Sequence, residues 1–267
     1  MKHEWVKMTW REVRDAASGS KPVVLVPIGC VEPQGPHTPT GMEFLMAESL
    51  SREVAHQTQS VALPAIPFGN SNDFVNIPGT IYIQPDTLAR YYEDVYRSIL
   101  RAGFTHVLFV AYHIPNQWVL ETVARKIREE MGVLCAWINP GALAATYLKD
   151  LFPDPAAARG HGAEPGMSLM RFLVPDAIDL SDAKTTPAAS TFRGFKFMGG
   201  GPVVGNVSIG MPVNWDDLYP VSGGYGNPTL GSGEIGRQMF ERLVKDLSEI
   251  VAAFRAMDVR VKAPARV

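Results

Sequence analysis

The side chains best suited to chemistry stand where apolar segments end. Glu32, Gln34 and His37 follow the apolar run KPVVLVPIG (21–29), and Glu43 opens the helical stretch after them. His113 follows the run THVLFVAY (105–112), while His161 and Glu164 sit in ARGHGAEPG, ahead of the helical run MSLMRFL. Carboxylates and imidazoles converging from separate strand ends form the donor set of a first-row divalent cation. Such a cation, with an acid–base group beside it, performs hydrolysis. Each residue taken singly also has a plainer role. Glu43 would favour a helix N-terminus electrostatically, and His113 would cap the helix that follows it. His3, His56 and His106 lack any partner pattern and read as structural.

These residues need a frame that brings strand ends together. The run 21–29 reads as a buried parallel strand, followed by a Gly/Pro-rich loop (30–41) and a helix (42–57). The segment 60–69 reads as a second strand, and Asp86 is expected to cap a helix ending at Gly103. Residues 105–112 and 133–139 read as further strands, with a helix at 116–132 between them. Alternating strands and helices predict an α/β fold with a mainly parallel sheet flanked by helices, a single domain over 1–267. In such sheets ligands bind at the carboxyl ends of the strands. Residues 183–232 are rich in Gly, Pro, Ser and Thr with short β-like pieces, including a turn at 199–201. A stretch this long is expected to serve function or packing. A long amphipathic helix (234–257) and a frayed basic tail close the reading.

Composition narrows the class. Of 267 residues, 25 are Lys or Arg and 27 are Asp or Glu, a formal net charge of −2. That balance argues against a nucleic-acid partner, which needs a basic face to release counterions. No apolar run approaches the roughly 18 residues that span a bilayer, and the charged start MKHEWVKMTWREV does not read as a signal peptide. The expected setting is cytoplasmic, with no membrane partner. The two cysteines, Cys30 and Cys135, read as small buried thiols; Cys30, two residues before Glu32, is a weak nucleophile candidate. GSGEIG (231–236) matches a dinucleotide-binding pattern, but no strand precedes it, so it reads as a loop that caps a helix.

The order of motifs along the chain resembles the creatininase family. That family carries G-S-x-E-Q-H-G-P-H-L-P-L-x-T-D after its first strand, where this chain has Gly29-Cys-Val-Glu-Pro-Gln-Gly-Pro-His-Thr-Pro-Thr-Gly-Met-Glu43. IPGT (77–80) resembles F-P-G-T, and VAYHIPNQ (110–117) resembles V-N-G-H-G-G-N. HGAEPGMSLMRFLVPDAIDL (161–180) and GYGNPTLGSGEIGRQMFE (224–241) are similar to the family's later segments.

The resemblance implies a compact α/β sandwich, a homo-oligomer that is often a hexamer, and a two-metal site hydrolysing cyclic amides or related carbonyl compounds. The first metal's ligands would be Glu32, Glu43 (in place of an Asp) and His113. The second metal's set is depleted. Gln34 stands for a His, Pro115 and Gly166 for Glu residues, and Phe74 for a His in the loop before F-P-G-T. Proline and glycine bring no side-chain ligand, and an amide binds divalent cations weakly. The expected centre holds one Zn²⁺ or Mn²⁺, or none. Glu164 and His161 would move protons, and Gln34, His37 and Phe74 would contact a small-molecule substrate. Two other readings stay open: a metal-free or C–C bond hydrolase or isomerase acting on a polyol-derived cyclic ketone, and a non-catalytic binding subunit.

Overall fold

The computed structural model describes residues 2–198, 200–220 and 223–261. The frame is a four-stranded parallel sheet of β1 (Val23–Ile28), β2 (Val61–Ala62), β3 (His106–Ala111) and β4 (Ala136–Ile138), in the order β2-β1-β3-β4. Both faces of β1 and β3 are covered, so every residue of these strands is buried and all but His106 are apolar.

Alternation sorts the side chains into two cores. Val23, Leu25, Leu108 and Val110 face one side, where α2 (Met42–Thr58), α5 (Pro140–Leu151), α7 (Gly166–Leu173) and α9 (Gly233–Ala256) pack. Val24, Val26, Ile28, Val107 and Phe109 face the other, against α1 (Trp10–Ala17), α3 (Pro85–Arg101) and α4 (Asn116–Met131). The helices bury their matching stripes: Met46, Leu50 and Val54 on α2, Leu88, Tyr92, Tyr96 and Ile99 on α3.

Several expectations need correction. The second strand is two residues long rather than spanning 60–69, with one further bridge from Ile66 to Ile28. Pro64 and Pro67 have no N–H to give a ladder. The fourth strand covers only Ala136–Ile138 of 133–139. Asp86 does not cap α3. Gln84 holds the N-cap position and Pro85 the first turn, where its fixed φ suits a helix start. His113 does not cap α4; Pro115 is its N-cap residue.

The Gly/Pro-rich segment forms a separate antiparallel meander of β5 (Thr191–Phe192), β6 (Phe195–Met198), β7 (Gly201–Val204) and β8 (Val207–Ser208). A short helix, α8 (Trp215–Leu218), follows it. A second short helix, α6 (Pro155–Ala158), leads into the ARGHGAEPG loop. Gly199 of the expected 199–201 turn, and residues 262–267 of the expected frayed tail, lie outside the described residues. No helix among the described residues is long and apolar enough to cross a membrane.

The strand order locates the site. From β1 the chain moves outward to β2 on one side, then returns to β3 on the other. The crevice between the carboxyl ends of β1 and β3 is therefore a topological switch point, where open α/β sheets bind ligands. In register Ile28 pairs with Ala111, so Glu32 and His113 emerge side by side just beyond these ends.

Candidate metal centre and its pocket

Three elements deliver the central residues. The loop after β1 brings Cys30 and Glu32, the end of β3 brings His113, and the first turn of α2 brings Glu43. Gly29 makes the last possible. A Cβ at that position would lie 2.3 Å from the Phe44 Cα and 2.7 Å from the Glu43 carbonyl carbon, so only glycine lets the start of α2 close on the strand end. The buried Asn116 amide ties the adjoining loops: its Nδ2 donates to the Gly29 carbonyl at 2.9 Å, and its Oδ1 accepts from the Asn70 N–H at 2.9 Å.

One donor atom each from Cys30, Glu32, Glu43 and His113 falls within 4.8 Å of the others. His113 Nδ1 donates to Glu43 Oε2 at 2.7 Å, and the Cys30 thiol donates to the same oxygen at 3.0 Å. His113 Nε2 donates to the Asn70 carbonyl at 3.0 Å and lies 3.5 Å from Glu32 Oε2. The Gln34 amide donates to Glu32 Oε1 at 3.3 Å, but Glu32 Oε2 is buried with no hydrogen-bond partner.

Burial drives the electrostatics. It raises the Glu32 carboxyl above the usual carboxylate range, against the pull of His113. Burial acts in the same sense on Glu43, but His113 and the Cys30 thiol outweigh it and hold that carboxyl low. Burial alone would lower His113; Glu32 and Glu43 together overcome it and raise the imidazole to about 9. Burial, reinforced by the two carboxylates, pushes the Cys30 thiol well up. His113 thus faces acceptors from both ring nitrogens and carries a positive charge between two carboxylates.

The first donor set fits one divalent cation. A buried carboxylate oxygen without a partner is costly, and it belongs to a cluster of O, N and S donors whose groups bind divalent ions once deprotonated. The second set does not fit. Gln34 turns its amide onto Glu32, Pro115 serves as an N-cap, and the Phe74 ring stacks on His161 at a centroid distance of 4.9 Å. Gly166 begins α7, and a Cβ there would meet the Met42 methyl at 2.7 Å.

The cluster opens into a cavity of about 400 Å³ whose walls include Gln34, Phe74, Trp118, His161, Glu164 and Trp215. The His161 ring packs 4.6 Å from Trp215, and its Nε2 donates to the Pro33 carbonyl at 3.0 Å. A carbonyl can only accept, so Nε2 carries the hydrogen and Nδ1 is the acceptor nitrogen of a neutral ring. Burial holds this imidazole down to about 4. Glu164 is fully buried, accepts the Ser168 hydroxyl at 2.8 Å and is pushed by burial up to about 7.

His37 stands apart from these residues. Its Nε2 donates to the Gly162 carbonyl at 2.6 Å, and it lines a neighbouring cavity of about 460 Å³ with His161 and Tyr225. Cys30 is a buried free thiol as expected, and its sulfur faces a carboxylate; Cys135, also expected buried, is only partly so. Trp118, Trp215 and Asn116 also escaped sequence reasoning. The aromatic side chains of the Gly/Pro-rich segment were the available signal for Trp215, since unassigned loops over a strand-end crevice are natural pocket walls.

Comparison with known proteins agrees with the fold. The family model described as creatininase, creatinine amidohydrolase, matches residues 6–251. A creatinine amidohydrolase from Pseudomonas putida is 23% identical over 202 residues, 69% of this chain and 76% of that protein. A mycofactocin precursor peptide peptidase from Mycolicibacterium smegmatis is 24% identical over 237 residues, 85% of this chain and 83% of that protein. The structure of a creatininase variant superposes with a TM-score of 0.78 at 19% identity, covering 96% of this chain and all of the other. Related creatininase structures are described as manganese and zinc–zinc forms.

Proposed function

The chain belongs to the creatininase family of hydrolases, and from that premise we propose that it cleaves a C–N bond in a small polar carbonyl compound, a cyclic amide or a close relative, at a centre holding one divalent metal. Glu32, Glu43 and His113 would hold the metal, as zinc or manganese. The observation that carries this reading is Glu32 Oε2, buried without a hydrogen bond and with only the His113 ring at 3.5 Å, within a cluster of donor atoms spanning no more than 4.8 Å.

A divalent ion bound there supplies an acidified water and polarises a carbonyl oxygen. The remaining work falls to the chain. Gln34 orients Glu32 through Oε1, leaving Oε2 turned to the centre. Phe74 and Trp215, themselves in contact, form an apolar wall against which the His161 ring packs. Neutral His161 offers Nδ1 to a substrate N–H. Glu164, a carboxyl poised near neutral pH at the edge of the same cavity, exchanges a proton with the leaving nitrogen.

The setting is cytoplasmic and the protein a homo-oligomer, a hexamer by family analogy; Phe195, Met198, Val204 and Val207 expose apolar surface on the meander that suits subunit contact. The reading is tested by stripping metal with a chelator and assaying a panel of cyclic amides. Activity that disappears and returns with added zinc or manganese supports it, and full activity of stripped protein overturns it.

A further inference from the structure

We propose that Cys30 is a ligand of the same centre, and that its thiolate makes the site select zinc over manganese. This rests on the reading that a metal is held by Glu32, Glu43 and His113, and it adds a residue and a metal preference to that reading.

The position of the sulfur carries the inference. Cys30 is fully buried, and a buried thiol with no polar task packs against hydrocarbon. Here Sγ lies 3.0 Å from Glu43 Oε2 and belongs to the same cluster of donor atoms as Glu32 and His113. Glu32 Oε2, in that cluster, has no hydrogen-bond partner. Two carboxylates meet here, and the donors around them, the His113 ring, the Cys30 thiol and the Gln34 amide, leave Glu32 Oε2 without a hydrogen bond. In a tetrahedral zinc site, bonds of about 2.3 Å to sulfur and about 2.0–2.2 Å to nitrogen and oxygen set donors roughly 3.3–3.7 Å apart. The donor atoms, all within 4.8 Å of one another, need draw in by only about an ångström to reach that spacing. Binding would release the thiol proton and one His113 ring proton to solvent as the sulfur–metal and nitrogen–metal bonds form, with no change in oxidation state.

The donor set then decides the metal. Oxygen and nitrogen donors alone serve manganese and zinc alike, whereas a thiolate favours zinc. With Glu32, Glu43 and His113, Cys30 would hold the ion through four protein donors, and a water would have to enter as a fifth ligand for hydrolysis to proceed.

The test loads the chelator-stripped full chain with Co²⁺ as a spectroscopic probe and compares wild type, Cys30→Ser and Cys135→Ser. Wild type and Cys135→Ser should bind about one cobalt each and show the near-ultraviolet charge-transfer band of a thiolate ligand. Cys30→Ser should bind cobalt without the band, and its preference for zinc over manganese should fall by about tenfold or more. X-ray absorption of zinc-loaded wild type should show a sulfur scatterer at about 2.3 Å, a readout that does not depend on any variant folding. One bound cobalt with no thiolate band, or a zinc shell without sulfur, overturns the role of Cys30 and leaves the three-ligand centre standing. Failure of the wild type to bind cobalt or zinc at all overturns both.

Discussion

His113 and Glu43 lie 70 positions apart in the chain yet meet at 2.7 Å, Nδ1 to Oε2, across the crevice between β3 and the start of α2. His113 is buried and Glu43 largely so, and the same carboxylate oxygen accepts the Cys30 thiol. Neither residue would hold this place without the other elements: β3 ends where it must, and Gly29 lets α2 approach. The consequences of this arrangement can be measured one residue at a time.

Glu32→Gln should remove metal binding with little loss of fold. The amide keeps the shape but lacks the charge that a divalent ion requires, and the orphaned Oε2 is the oxygen this change neutralises. Metal content of the purified variant should fall from about one per chain to near zero, with an unchanged circular dichroism spectrum. Full occupancy would mean that Glu32 is not a ligand.

Gly29→Ala should be strongly destabilising, because its methyl would meet backbone atoms of Phe44 rather than a mobile side chain. A cost of about 2–4 kcal/mol is expected, read as a lower denaturation midpoint. Metal affinity should fall too, since Glu43 rides on the displaced helix. A wild-type midpoint would contradict the packing argument.

Much of this could be read from the residues before any coordinates. β1 and β3 announce themselves because strands buried on both faces are apolar at nearly every position, and the polar residues just past them mark the site. Glu32, Glu43 and His113 were expected together and lie together. The shortening of β2 was less legible, since the apolar character of 60–69 masks two prolines that cannot join a ladder. The meander was legible only as short β-like pieces, because strands of two to four residues carry too little alternation to fix their bounds. Cys30 was legible as buried but not as facing carboxylates, because residue type reports burial and only tertiary placement reports neighbours.

Glu164 should govern a pH dependence. Its folded carboxyl is raised to about 7 by burial, above the ordinary carboxylate value. A raised acid binds its proton more tightly in the folded state, so its contribution to stability is full below about 4.5 and is lost as pH rises through 7. The shift corresponds to about 3 kcal/mol. Glu164→Gln should flatten the fall in unfolding free energy between pH 4.5 and 7.5 in denaturant titrations. The variant should also lose the limb of the rate profile near pH 7. An unchanged profile in both measurements would remove Glu164 from the proposed proton transfer.

Trp215→Ala should let the His161 imidazole rise from about 4 toward its ordinary value, because the indole packed on it supplies part of the burial that holds it low. Proton NMR titration of the ring reads this directly. The lowered wild-type value means stability is lost as pH falls from about 6.5 through 4, and the variant should lose less of it. A ring that still titrates at the wild-type position would show that Trp215 contributes nothing to its desolvation.

The claim on which the account turns is a single metal at a site whose second ligand set is gone. Elemental analysis of the full chain, saturated with zinc and freed of loosely bound ions, tests it most directly. The depleted positions Gln34, Pro115 and Gly166 predict about one zinc per chain, released by chelator and absent from Glu32→Gln. Two tightly held zinc ions per chain, or none in protein that hydrolyses its substrate at full rate, would contradict it.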